Sequence, residues 1–256
     1  MKGWWASYAA PMTLLSVNVG RAKRVDYTDA ASGMTGIDKR PVDGPVRIET
    51  PGPNGVGASG VAGDTVCDLR FHGGADRAVY AFAREDLDRW ERELGGPLPN
   101  GAFGENLTTS GLDVNGALIG ERWRIGGTVV LEVTGGRIPC RTFQGHLAER
   151  GVDAQGWVRR FTRAQAGPGA LLRVIEPGEV RAGDPVEVLS RPDHDVTVAL
   201  LHRAATTERE LLPRTLVAAA WMESGLLALA RRHAEKHTGE DAGERGGEGR
   251  ETSSGD

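Results

Sequence analysis

The residue with the most reactive chemistry is Cys140, in the segment Gly136-Arg-Ile-Pro-Cys-Arg. Arg137 and Arg141 lie close to it in sequence, and nearby positive charge lowers a thiol pKa and favours the thiolate. A thiolate binds soft metals and acts as a nucleophile. Pro139 fixes its own φ angle and favours an extended residue before it. The segment therefore predicts a loop that carries a reactive sulfur.

Three further segments carry polar groups suited to binding a ligand. His72 precedes two glycines, whose backbone either approaches a ligand closely or forms a simple hairpin turn. Asn106 and Thr108, in GAFGENLTT, offer an amide and a hydroxyl for directed hydrogen bonds, or else satisfy the loop backbone. Lys39, which lies two residues before Pro41, is placed to receive a phosphate or is simply solvated.

The second cysteine, Cys67, alternates with strand-like residues and is predicted to be a buried structural thiol. Two cysteines with no CxxC pair argue against a disulfide framework or structural zinc, and they cannot hold a four-cysteine iron–sulfur cluster. The sequence GVGASG at residues 55–60 matches GxGxxG, but it lies inside a glycine-rich loop and does not directly follow a predicted strand. The sequence thus shows no flavin, NAD, haem or zinc site.

Short strands bounded by glycine or proline are the main elements that must position these residues. They are predicted at 14–19, 42–48, 66–71, 78–82, 118–125, 128–134, 171–175 and 185–189. Gly126-Gly127 suits a hairpin turn, and Pro177-Gly178 is a turn signal between the last two strands. A helix is predicted over Arg84–Leu94, where apolar residues spaced by three and four share one face.

Composition divides the 256 residues into four parts. Residues 1–11 are predicted to be a loose extension, 12–191 a mainly β domain and 195–237 an appendage of three helices. Residues 238–256 are of low complexity and are predicted to be disordered. Thirty-seven glycines without a collagen-like period also favour strands and tight turns. The predicted fold class is mainly β, of the α+β type.

The charge balance excludes some classes of partner. The formal net charge is −4, and without the last nineteen residues acidic and basic residues number 29 each. A balanced body argues against general binding of nucleic acid. The chain has no run of about 18 apolar residues, so no membrane span is expected. Polar residues and Pro11 interrupt the N-terminal apolar stretch, and we expect a cytoplasmic protein.

Five segments, taken in order, resemble the MOSC family, which is named after the C-terminal domain of molybdenum-cofactor sulfurases. They are SVNVG, GIDKRPVDGPV, FHGGADRAVYAFAREDLDRW, GAFGENLTTSGL and GRIPC. The resemblance covers about residues 12–237 and is to the compact bacterial, YiiM-like branch, which has a small helical appendage. The family often has Pro-Arg-x-Pro-Cys, whereas residue 136 here is glycine, a difference that affects the loop's rigidity more than its ligand.

The resemblance implies a contorted β-barrel that binds a molybdopterin-type molybdenum cofactor, with Cys140 as metal ligand and catalytic residue. A soft thiolate suits a metal already held by dithiolene sulfurs. The phosphate and pterin of this cofactor need cations and hydrogen-bond donors. Motif position assigns this binding to six residues: Lys39, His72, Arg77, Asn106, Thr108 and Arg137.

The resemblance further implies an oxidoreductase that reduces N-hydroxylated compounds, such as hydroxylamino-purines, and so detoxifies N-hydroxylated bases. Its electrons are expected from a separate reductase. Two alternatives stay open: a carrier of cofactor, or of sulfur as a Cys140 persulfide, and a cysteine hydrolase that pairs Cys140 with His72 or His146. A homodimer also stays open, and neither nucleic acid nor a membrane is an expected partner.

Overall fold

The computed structural model describes residues 11–163 and 167–245, which form twelve strands and six α-helices. The strands are β1 (Thr13–Gly20), β2 (Lys23–Arg24), β3 (Met34–Thr35), β4 (Lys39–Pro41), β5 (Val46–Ile48), β6 (Val79–Ala83), β7 (Leu107–Ser110), β8 (Arg122–Ile125), β9 (Val129–Gly136), β10 (Ala170–Glu176), β11 (Gly178–Val180) and β12 (Val186–Ser190). The helices are α1 (Arg84–Leu94), α2 (Arg141–Glu149), α3 (Trp157–Arg163), α4 (Val198–Thr206), α5 (Leu212–Thr215) and α6 (Ser224–Arg245).

Eight of these strands form one sheet in the order β12-β8-β9-β10-β6-β7-β1-β4. β6 and β7 run parallel, and the other six neighbouring pairs are antiparallel. The predicted hairpin at Gly126-Gly127 is confirmed, since it joins β8 to β9. Every residue of β9 is buried. Such a strand is covered on both faces, as its nearly continuous apolar sequence indicates.

The sheet is not a closed barrel, so the contorted β-barrel implied by the resemblance is wrong in that respect. The strands at the two ends of the sheet are β12 and β4. Where β1 approaches the residues before β12, an isolated bridge joins Thr13 to Pro185. Around this bridge the Leu14 N–H donates to the Asp184 carbonyl and the Val186 N–H donates to the Met12 carbonyl, each at 2.9 Å, so the two strands are joined at a single bridge and not along a ladder. The architecture is a mixed α+β fold with a large sheet and C-terminal helices.

The helix predicted over Arg84–Leu94 is confirmed as α1, with its apolar face buried. It ends at Gly95, whose φ of 73° lies in the left-handed region and whose N–H donates to the Glu91 carbonyl. Trp90 stacks on Phe161 of α3 at 5.9 Å between ring centroids. This helix therefore anchors an aromatic core on one side of the sheet, separate from the aliphatic core on the other.

Several elements differ from the sequence prediction. Helices α2 and α3 lie in a region predicted to be mostly β, and they form because Phe143 and Trp157 complete the aromatic core.

Two strand predictions also differ from the structure. Residues 66–71 form turns rather than a strand. The predicted pairing of 171–175 with 185–189 is wrong, because β10 pairs with β9 and β6 while β12 pairs with β8. Pro177-Gly178 leads instead into β11, which pairs with β5.

The predicted C-terminal helices are present as α4, α5 and α6. Thr197 caps α4 by accepting the Leu200 N–H, and Leu201 and Leu226 join the aliphatic core of the sheet. α6 continues to Arg245, beyond the boundary predicted at residue 237, although two glycines in this extension lower its helix propensity. None of the helices in the described part of the chain combines the length and apolar character needed to cross a bilayer.

The predicted loose extension falls on residues 1–10, apart from Pro11, and these ten residues lie outside the described part of the chain. The predicted disordered tail is divided. Residues 238–245 belong to α6, so the start of the tail was placed too early, and residues 246–256 lie outside the described part.

Candidate functional site

A cavity of about 500 Å³ opens where the segment around β3 and β4, the His72 turn, the end of β9 and the start of α6 meet. Six of the seven predicted site residues line it: Lys39, His72, Arg77, Asn106, Arg137 and Cys140. The seventh, Thr108, lies outside this lining. The fold thus gathers residues about 100 positions apart in sequence around one concave site, as is usual where a small molecule binds.

Cys140 lies between the last strand residue of β9 and the first turn of α2, at the N-cap position, with extended backbone (φ −135°, ψ 166°). Burial by itself raises the pKa of this thiol. A hydrogen bond with His72, the charge of Arg137 and the backbone N–H of Phe143 outweigh burial and lower the pKa to about 6. Cys140 therefore carries a thiolate at neutral pH. Of its two basic sequence neighbours Arg137 contributes to this, whereas Arg141 pairs with Asp29.

Arg137 is held over two aromatic rings on the cavity wall. Its guanidinium lies 4.4 Å from the ring centre of Phe143 and 5.3 Å from that of Tyr80, and it donates a hydrogen bond to the Phe103 carbonyl. Within the described residues it has no carboxylate partner at salt-bridge distance. Its charge thus remains available to the thiolate and to an anionic ligand.

The two glycines after His72 serve the protein's own loop packing. Gly73 and Gly74 have φ angles of 72° and 80°. A Cβ on Gly74 would lie 2.5 Å from the Asn54 Cα, and one on Gly73 would lie 2.4 Å from the Ala58 carbonyl oxygen. Gly73 and Gly74 therefore approach the glycine-rich loop at 52–63 and not a ligand. Their positive φ angles turn the chain so that His72 reaches the cavity.

Lys39 reaches the cavity already paired with Asp64. The ammonium donates to Oδ1 of that carboxylate, while Ser59 and Asn106 donate to Oδ2 at 2.8 Å and 2.9 Å. Burial lowers the pKa of Lys39, and the Asp64 carboxylate opposes this shift. The Gly20 N–H also donates to Asp64, at 2.8 Å. Asp64, which the sequence analysis missed, is thus the centre of this network.

Thr108 is turned into the protein interior. Its hydroxyl donates to Glu105 at 2.9 Å and accepts from Asn18 at 3.0 Å. Glu105 also accepts the N–H groups of Gly101 and Phe103, and burial raises its pKa. Glu105 and Thr108 therefore hold the loop whose Phe103 carbonyl receives Arg137. The hydroxyl of Thr108 thus bonds to two side chains, and not to the loop backbone as the more ordinary alternative had it.

Cys67 lies on the cavity wall and is only partly buried, in contrast to the buried thiol predicted from its neighbours. Burial and the nearby Asp64 raise its pKa, and Lys39 opposes them. Both cysteines thus face the same space in different ionisation states. The prediction failed because residues 66–71 are turns rather than a strand.

Asp64 and Glu223 are two of the four acidic residues of the lining, none of which was recognised from sequence. Asp64 follows directly on the glycine-rich loop, and an acidic residue at the end of such a loop was a usable signal. Glu223 gave no comparable signal, since its position depends on the C-terminal segment folding back across the sheet. Its carboxylate lies 3.8 Å from Arg77 and belongs to the same cavity.

The fold and the cysteine-lined cavity define a class of protein. Comparison of the sequence with known protein families identifies this class. The model of the MOSC domain matches residues 68–187. YflK of Bacillus subtilis strain 168, described as uncharacterized, is 32% identical over 191 residues, which cover 75% of this chain and 79% of YflK. YiiM of Escherichia coli K12 is 34% identical over 144 residues, covering 54% of this chain and 60% of YiiM.

The chain therefore belongs to the MOSC domain family and resembles its YiiM-like members. A fungal protein of Gibberella moniliformis named "Reductase" is 31% identical over 190 residues, covering 71% of this chain but 30% of that protein. The crystal structure of YiiM from Geobacillus stearothermophilus superposes with a TM-score of 0.67 at 22% identity, over 87% of this chain and 99% of that one. This last likeness supports the fold.

The MOSC domain is associated in general with the molybdenum cofactor, and the donors of this cavity fit such a group. The described residues contain no cluster of three or more His, Cys, Asp or Glu that would bind a metal by themselves. A metal that already carries dithiolene sulfurs needs one soft protein ligand, and Cys140 offers a thiolate. Arg137 and His72 supply positive charge and a donor beside that sulfur.

Proposed function

We propose that the protein is a molybdenum-cofactor-dependent oxidoreductase that reduces N-hydroxylated compounds such as hydroxylamino-purines. The observation that carries the proposal is the Cys140 sulfur, which lies on the wall of a 500 Å³ cavity with a pKa of about 6. A sulfur in this state is ready to ligate a metal without first losing a proton. The association of the family with the molybdenum cofactor supports the proposal, as does the name of the fungal relative.

The bound cofactor would supply the two-electron redox chemistry at the metal. Cys140 would hold the metal. Arg137, whose guanidinium is stacked on two rings and free of a carboxylate, would hold the anionic part of the cofactor. Lys39 and Asn106 are engaged with Asp64, so we assign them to the shape of the wall rather than to a phosphate.

The rim of the cavity suits a planar heterocycle. Phe71 and Ile138 both line the cavity, and they are 61% and 44% exposed, which is unusual for large apolar side chains. A purine ring buries its apolar faces against such side chains. We therefore propose that these two residues orient the substrate ring while its N-hydroxyl group points inward.

We propose that electrons arrive from a separate reductase. The sequence GVGASG at residues 55–60 matches GxGxxG but lies in an irregular loop and opens no helix, as a dinucleotide motif would, and two cysteines are too few for a four-cysteine cluster. Reduction of an N-hydroxyl compound to its amine and water consumes two electrons and two protons. The donor must therefore deliver electrons to the cavity from outside the chain.

The proposal is tested by loading the protein with molybdenum cofactor and supplying a chemical reductant and 6-N-hydroxylaminopurine. We expect conversion to adenine. Cys140→Ala should lose both bound molybdenum and conversion, whereas Cys67→Ala, which removes the other thiol of the cavity, should retain the metal. Elemental analysis measures the metal and chromatography measures the product. Full retention of molybdenum by Cys140→Ala would refute the assignment of the ligand.

A carrier of cofactor or sulfur is the second candidate, since a low-pKa thiolate in a cavity is also suited to carry a persulfide. The metal content of protein isolated from cells separates the two functions. A Cys140 persulfide detected by mass spectrometry in protein without metal would favour the carrier.

The hydrolase alternative gains one observation, since His72 lines the same cavity as Cys140 and lowers the pKa of its thiol. His146 is placed differently, because its Nε2 accepts from Arg150 at 3.2 Å and it borders another cavity with Lys23. Burial lowers the pKa of His146 to about 4. Labelling of metal-free protein by a thiol-directed substrate analogue, lost in His72→Ala, would favour a hydrolase.

A further inference from the structure

Glu223 brings a carboxylate from the C-terminal helical segment to the cavity, although the residue is only 5% exposed. Its N–H donates to the Thr134 carbonyl at 2.8 Å, which ties it to β9. One carboxylate oxygen, Oε2, accepts the Leu226 N–H at 2.9 Å in the first turn of α6. The other, Oε1, receives a long contact from the Ser224 hydroxyl at 3.5 Å and faces Arg77 Nε at 3.8 Å.

Arg77 reaches the same point from the turn after His72. Its terminal nitrogen Nη1 donates to the Phe71 carbonyl at 2.6 Å, which fixes the guanidinium. Its Nε is buried and has no hydrogen-bond acceptor within the part of the chain that the structure describes. A buried N–H without an acceptor is costly. The 3.8 Å to Glu223 exceeds the usual N–H···O distance of about 2.9 Å. A donor and an acceptor thus face each other across a gap.

A separation of 3.8 Å is one that a single oxygen atom can bridge, since it can lie about 2.8 Å from both Arg77 Nε and Glu223 Oε1. That oxygen must accept a hydrogen bond from the guanidinium and donate one to the carboxylate. A hydroxyl does both, whereas a carbonyl cannot donate and an ammonium cannot accept. A phosphate or carboxylate would be repelled by Glu223. The chemistry of the gap therefore selects a hydroxyl group or a water molecule, and a ligand hydroxyl would take the place of the water.

We propose that this gap, called the hydroxyl seat and formed by Arg77 Nε and Glu223 Oε1, binds the N-hydroxyl group of the substrate. The inference rests on the proposed function and deepens it, because it names the residues that distinguish an N-hydroxylated compound from the parent amine. An aromatic amine in the same place donates but accepts poorly, and it leaves the Arg77 N–H unpaired. A site built around a hydroxyl rejects the analogue that lacks it.

Glu223→Gln is the variant that tests the seat. The amide keeps the shape of the side chain but has one oxygen, which the Leu226 N–H occupies, so its NH₂ group then faces Arg77 as a second donor. Glu210→Gln, at an exposed position before α5, is the matched control. The affinities of metal-loaded protein for 6-N-hydroxylaminopurine and for adenine are measured by calorimetry without reductant, so that no turnover occurs.

We expect the parent protein and Glu210→Gln to bind the N-hydroxylated compound at least tenfold more tightly than adenine. Glu223→Gln should lose this preference through weaker binding of the N-hydroxylated compound alone, with adenine affinity within twofold of the parent. Arg77→Lys, which lacks the Nε–H group, should also lose the preference for the N-hydroxylated compound. This variant provides the test if Glu223→Gln does not fold. An equal loss for both ligands, or an unchanged preference because the gap holds only water, would overturn the proposal.

The same measurements separate the seat from the reaction. If the parent protein keeps its preference but does not convert the compound once reductant is added, the proposed reaction fails and the seat stands. If conversion occurs and Glu223→Gln keeps the preference, the seat alone fails.

Discussion

The sulfur of Cys140 shows how surroundings outweigh burial at a single residue. Burial disfavours its charge, yet His72, Arg137 and the first turn of α2 together favour the thiolate. Because the folded pKa of about 6 lies below the ordinary 9.0, ionised Cys140 stabilises the fold above pH 9. That contribution declines as the pH falls and is lost once the pH drops through about 6.

The ionisation of Cys140 predicts its reactivity with iodoacetamide. In metal-free Cys67→Ser protein, we expect the alkylation rate to rise with a midpoint near pH 6 and to level off above pH 7, where a thiol of this pKa is about 90% ionised. Arg137→Gln should move the midpoint upward, since it removes a positive charge from the thiolate. A midpoint near the ordinary value of 9.0 in the parent background would contradict the assignment.

At the scale of elements, the turn after His72 depends on backbone conformation more than on side-chain contacts. Gly74 has φ 80° and ψ 176°, a region that side-chain-bearing residues avoid, and it packs against Asn54 of the glycine-rich loop. The adjacent residues Asp76 and Arg77 then meet Ser224 and Glu223 of the C-terminal segment. This turn therefore fixes the positions of the glycine-rich loop and the C-terminal segment relative to its own residues, and all three contribute to the cavity wall.

Gly74→Ala should destabilise the protein by more than the conformational cost of the turn. We expect Gly63→Ala, at φ 81° with no atom within 4 Å of the new Cβ, to cost about 1–2 kcal/mol. Gly74→Ala adds a clash with the Asn54 backbone and should cost clearly more. Urea denaturation of both variants measures the difference in free energy of unfolding. Equal losses would show that the close approach to Asn54 is unimportant.

The sequence predicted those elements whose signal is local. α1 was readable because Leu87, Trp90 and Leu94 repeat with helical spacing, and the β8–β9 hairpin because two glycines separate apolar runs. α2 was not readable, because its buried residues follow from packing against distant aromatic rings. In the site, the sequence neighbour Arg137 indicated that the Cys140 thiol would ionise easily. Glu223 reaches the cavity only through tertiary contacts such as the one with Arg77, which the sequence does not show.

At the scale of the whole molecule, the C-terminal helices share one aliphatic core with the sheet. Val198 and Leu201 of α4, and Leu226 of α6, belong to the same buried cluster as Leu131 of β9 and Leu172 of β10. Residues that share a core unfold together. The appendage predicted from composition is thus joined to the sheet by apolar contacts, in addition to its part in the cavity wall.

Leu201→Ala should therefore destabilise the entire protein in a single transition. The side chain is fully buried, and we expect a loss of about 2–5 kcal/mol from the lost burial and the cavity left behind. Val217→Ala, at a position 59% exposed in the same helical segment, should change stability by about 0.5 kcal/mol or less. Circular dichroism and tryptophan fluorescence should give coincident curves. Separate transitions would indicate that the helices fold independently.

The stretch matched by the MOSC domain begins at residue 68 and ends at residue 187, yet the cavity extends beyond both limits. Cys140 and Arg137 lie within the stretch, whereas Lys39 and Asp64 precede it and Glu223 follows it. The sulfur, its neighbours and the rim residues Phe71 and Ile138 are thus encoded inside the stretch, whereas other parts of the cavity wall are encoded outside it. Exchange of the flanking segments between relatives would therefore change the wall that a ligand meets, while the sulfur keeps its immediate environment.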